Sequence, residues 1–105
     1  MFGRKKALRR AAPRLVLLGS GGETLSACPA SEYALPEKAV LALSVEYFND
    51  PEPCIIHRTA VHKRAILELM EHCPAGSTVS TSDLPAYMRG WFPEKTARIQ
   101  ISEDK

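Results

Sequence analysis

One helical stripe constrains this chain more than any other feature. Across residues 59–73, Val61, Ala65, Ile66, Leu69, Met70 and Cys73 recur at helical spacing, and His62, Lys63, Arg64, Glu68, Glu71 and His72 lie off that line. Spacings of three and four residues put apolar side chains on one side of a 3.6-residue helix, so the segment needs a facing layer to cover it. Pro74-Ala75-Gly76 follows at once and stops the helix. A chain of 105 residues holds one core. The covering layer therefore has to come from the rest of the same small domain.

Strands supply it. Leu15-Val16-Leu17-Leu18 is a short apolar run, Gly19-Ser20-Gly21-Gly22 provides a turn, and residues 23–28 return as the second arm of a hairpin. Near the C-terminus, Ile99 and Ile101 alternate with Arg98, Gln100 and Ser102, the period of a strand with one wet face. Residues 29–36 read as loop and 77–80 as a short extended piece. Ser82-Asp83 offers a cap for a short second helix, about 83–89, closed by Gly90. Residues 36–50 carry two patterns. Pro36-Glu37-Lys38 suits a helix start, whereas Leu41, Leu43, Val45 and Tyr47 alternate with Ala42, Ser44 and Glu46 as in a strand. Asn49-Asp50-Pro51-Glu52-Pro53 is a turn cluster, and Cys54-Ile55-Ile56-His57 reads as a strand, so a hairpin over 36–57 is expected. The expected fold class is α+β: a small antiparallel sheet, one amphipathic helix (about 59–73), one short helix (about 83–89) and a flexible basic N-terminal arm. The arm spans 1–13 and a single α+β domain spans 14–105.

Charge is unevenly spread. Residues 1–14 hold Arg4, Lys5, Lys6, Arg9, Arg10 and Arg14 and no acid, while the other 91 residues carry eight cations against twelve acids. A cationic leader on an anionic body points to a polyanion, because such cations neutralise phosphates and release counterions. The expected function is that of a small non-enzymatic regulatory or binding protein that contacts nucleic acid through Arg4, Lys5, Lys6, Arg9, Arg10 and Arg14. Six phosphate contacts on duplex DNA imply a slope of log affinity on log salt of roughly −5.

The alternative is a protein–protein adaptor or self-associating module, with Tyr47, Trp91 and Phe92 as anchors on an exposed aromatic or strand-edge surface. The same rings are also needed to fill the one core, so the two roles compete. Metal binding is a minor alternative. Cys54, His57, His62, His72 and Cys73 are ligand types, but their spacing matches no paired-ligand signature, and no metal site is assigned.

Catalysis finds no support. The glycine turn lacks the lysine and Ser/Thr of a phosphate-binding loop, so neither enzyme activity, cofactor nor small-molecule substrate is expected. The three cysteines are far apart and suggest reduced thiols. The apolar run at 15–18 is shorter than the about 7–15 residues of an export signal, and no window reaches a membrane span. The expected location is the cytoplasm.

Overall fold

The computed structural model describes residues 13–103. Residues 1–12, which hold most of the expected arm, lie outside the described part. Strand β1 (Pro13–Leu18) turns through residues 19–22 into β2 (Thr24–Pro29). Gly22 sits at φ +85°, a conformation that favours glycine, and its N–H donates to the Gly19 carbonyl at 2.9 Å. After a 3-10 turn at Ala30–Glu32 come α1 (Glu37–Phe48) and α2 (Ile55–His72). Strand β3 (Thr78–Ser80), a second 3-10 turn (Thr81–Asp83), the single-turn helix α3 (Ala86–Arg89) and β4 (Arg98–Glu103) complete the chain. The four strands form one antiparallel sheet in the order β2-β1-β4-β3. The fold is α+β.

The stripe on α2 does what its spacing requires. Val61, Ala65, Ile66 and Leu69 are buried along α2, and Cys73 just beyond it is buried too. They join Leu15, Leu17, Ile99 and Ile101, the alternate residues of β1 and β4, in one hydrophobic cluster. Each such side chain contributes roughly 1.5–3 kcal/mol on burial, and together they fix the helix across one face of the sheet.

The expected hairpin over 36–57 is not formed; both of its arms are helical. Alongside the alternation, Val40, Leu43, Ser44 and Tyr47 recur at helical spacing, and Leu43 and Ser44 are buried. Asn49 closes α1 in the left-handed conformation (φ 55°), its N–H donating to the Val45 carbonyl at 2.8 Å. The turn cluster is thus a helix-to-helix connection. Cys54-Ile55-Ile56-His57 begins α2 rather than a strand, and Ile55 and Ile56 are 80% and 76% exposed. A central strand would have buried one of them; a first helical turn leaves both free. Arg58 donates to both Glu37 carboxylate oxygens and ties the start of α1 to α2.

The short helix starts later than expected. Ser80, through its side chain, accepts the Ser82 N–H and caps the 3-10 turn, and Pro85 then admits α3. Trp91 and Phe92 follow directly and are buried, 2% and 7% exposed.

Candidate nucleic-acid interface

Alternation along β1 and β4 sorts their side chains between two faces. Leu15, Leu17, Ile99 and Ile101 point into the helical layer. Arg14, Val16, Leu18, Arg98, Gln100 and Ser102 therefore point the other way, and none of them belongs to the buried cluster. Register brings the polar ones together. Arg14 pairs with Ser102, Val16 with Gln100 and Leu18 with Arg98, while β3 adds Thr78 beside Gln100 and Ser80 beside Arg98. The two arginines sit on adjacent strands, about 13 Å apart along the strand direction by the rise per residue.

The charge on this face has one sign. Among residues 13–102 every carboxylate lies on a helix or in a turn; the one carboxylate on a described strand, Glu103, ends β4 beyond that range. Arg14 and Arg98 are the two strand cations of that range, and both lie on the outer face. Hydroxyl and amide donors from Thr78, Ser80, Gln100 and Ser102 surround them. No aromatic ring lies on these strands, so the face offers donors for phosphate oxygens and no platform for stacked bases.

Of the cations singled out in the sequence, Arg14 is half-buried in β1. Arg4, Lys5, Lys6, Arg9 and Arg10 precede it and lie outside the described residues. Arg98 was overlooked as a candidate, although its alternation with Ile99 and Ile101 already placed it on a wet face. Two of the three expected partner anchors, Trp91 and Phe92, are not on the surface. Trp91 and Phe92 are core residues, buried in the same hydrophobic cluster as the α2 stripe and the inward residues of β1 and β4. Tyr47 is half-buried against the core, with the Arg64 guanidinium 4.2 Å from its ring centroid. Burial, followed by the nearby Glu68 charge, raises the Tyr47 phenol above its ordinary range.

The metal-ligand types are dispersed. His57 Nδ1 pairs with Asp50 at 2.7 Å, and His62 Nε2 lies 2.7 Å from the Tyr33 carbonyl. Cys54 is exposed, whereas burial raises the Cys73 thiol. Among the described residues no three His, Cys, Asp or Glu side chains converge as metal ligands. Nor is any helix there long and apolar enough to cross a membrane.

Two surface grooves lie on the helical side. One of about 250 Å³ runs between α1 and the Tyr87–Trp91 segment, and one of about 400 Å³ runs between α2, the start of β1 and the 3-10 turn at Ala30–Glu32. Sequence reading missed the larger one. Its available signal was Leu67, an apolar residue off the buried stripe. Comparison with family models, with curated proteins and with solved structures yields no match for this chain.

Proposed function

We propose that this protein is a non-enzymatic binding module for nucleic acid, gripping phosphates with its basic N-terminal segment and the outer face of its sheet. One observation carries the reading: strand pairing puts Arg14 and Arg98 on a single face whose neighbouring positions, Val16, Leu18, Thr78, Ser80, Gln100 and Ser102, include no carboxylate. That face is continuous in sequence with Arg4, Lys5, Lys6, Arg9 and Arg10, since β1 follows them directly. Arginine donors, hydroxyls and the missing rings suit backbone contacts over base reading, so binding is tolerant of sequence and sensitive to salt.

The test is a salt titration with labelled duplex and single-stranded oligonucleotides. If all seven cations meet duplex phosphates, log affinity falls against log salt with a slope of about −6. Replacing Arg4, Lys5, Lys6, Arg9 and Arg10 with Gln is expected to leave a slope of about −2, and Arg98→Gln alone to remove about one unit. A protein that binds neither strand form at low salt ends the proposal. Binding that ignores Arg98→Gln confines it to the N-terminal segment.

A further inference from the structure

The larger groove is built like a receptor for a helix. Four of its lining residues, Lys63, Ile66, Leu67 and Met70, stand at positions i, i+3, i+4 and i+7 of α2. Those are the four corners of the hole that takes one side chain from a facing helix. Pro13, at the start of β1, and Ala30, in the 3-10 turn after β2, form the opposite wall. Leu67 stands at the rim as an apolar knob, 58% exposed among the described residues.

The exposed edge of α2 selects the occupant. Lys63, Leu67 and Glu71 follow one another at four-residue intervals, so they stack along one line of the helix surface. If a second α2 lies antiparallel across this line with the two-fold axis at Leu67, each Lys63 meets the other copy's Glu71. A parallel arrangement would set Lys63 on Lys63 and Glu71 on Glu71. The stripe is thus complementary to itself in one orientation only, as a two-fold interface requires.

We infer that α2 is a homodimer interface, in which Leu67 of each copy enters the hole bounded by Lys63, Ile66, Leu67 and Met70 of the other. The two Lys63–Glu71 pairs set the antiparallel direction and Leu67 supplies the apolar contact. The dimer stands apart from the polyanion reading, because the sheet's outer face lies on the other side of the domain from α2.

Sedimentation velocity of the full chain, over a concentration series reaching the high micromolar range, is the experiment. The wild-type chain is expected to sediment as two copies. Leu67→Glu is expected to give a single copy with an unchanged circular dichroism spectrum, since the side chain is already outside the core. Lys63→Glu and Glu71→Lys are each expected to weaken dimerisation at least about tenfold by placing like charges face to face. The double variant Lys63→Glu/Glu71→Lys is expected to restore it. A wild-type chain that stays single throughout overturns the inference and leaves the groove to the chain's own N-terminal segment or to another protein. A dimer that survives Leu67→Glu overturns it as well and moves the interface elsewhere, and a double variant no better than the single ones overturns the antiparallel pairing.

Discussion

The Tyr33 hydroxyl donates a 2.7 Å hydrogen bond to the carbonyl oxygen of Trp91, 58 residues further along the chain. The Tyr33 ring also lies 5.7 Å from that of Phe92, so the segment before α1 is fastened to the segment after α3. Trp91 is held in the core by this arrangement. As the only tryptophan, it is expected to emit at short wavelength and resist acrylamide quenching, with a red shift only on unfolding. Tyr33→Phe is expected to cost about 1–2 kcal/mol in urea denaturation, because the Trp91 carbonyl loses its donor in a half-buried setting. A Trp91 readily quenched in the native protein would return it to the surface.

Alkaline pH is expected to destabilise the fold through its tyrosines. Burial, then the nearby Cys28, pushes the Tyr33 phenol up to about 12. Burial also comes first among the causes that raise Tyr47 and Tyr87, with the Glu68 charge second for both. A phenol raised in the folded state favours folding fully below its unfolded value near 10, and that contribution is lost as pH climbs through the folded values. Absorbance at phenolate wavelengths is the measurement. The native chain should titrate above the same chain in urea, and unfolding midpoints should fall from about pH 10 upward.

The acid side turns on Asp50. Its carboxylate faces His57 at 2.7 Å and accepts the Glu52 N–H at 3.1 Å, and these bonds, His57 foremost, hold its pKa below the usual carboxylate range. A lowered carboxyl favours folding above the unfolded value of about 4, and that contribution is lost as pH falls through the lower folded value. Asp50→Asn is therefore expected to be less stable than wild type near neutrality, with the gap closing below about pH 4. Paired urea titrations across that range check it. A gap that persists undiminished in acid would assign Asp50 a role other than its charge.

Asn49 tests the helix end that replaced the expected hairpin. Its backbone is left-handed, a geometry that costs most residues free energy and glycine none. Asn49→Ala is expected to destabilise by about 1 kcal/mol, whereas Asn49→Gly is expected to be neutral or slightly stabilising. Thermal melts of the two variants measure the difference. Equal melting points for both would contradict the left-handed cap.

Several elements could be read directly from residues. The α2 stripe, the hairpin around residues 19–22 and the alternation at Ile99 and Ile101 are each single, unopposed periodicities, and the structure has them. Residues 36–57 failed because two periods coexist there. Leu41, Leu43, Val45 and Tyr47 alternate, while Val40, Leu43, Ser44 and Tyr47 recur helically, and only the presence of α2 alongside makes the second pattern the one that buries surface. The candidate interface was legible in part: its cations at residues 4–14 are conspicuous, but Arg98 reaches the same face only through pairing of strands far apart in sequence.

What the chain's order of residues determined alone is local: where a helix must hide one side, where a turn needs glycine, where charge of one sign accumulates. Tertiary packing decided the rest. It put Trp91 and Phe92 inside, left Ile55 and Leu67 outside, and gathered Arg14 and Arg98 on a sheet face without carboxylates. The reason is geometric. A periodicity says which side chains share a face, but whether that face meets solvent or a neighbour depends on segments many residues away.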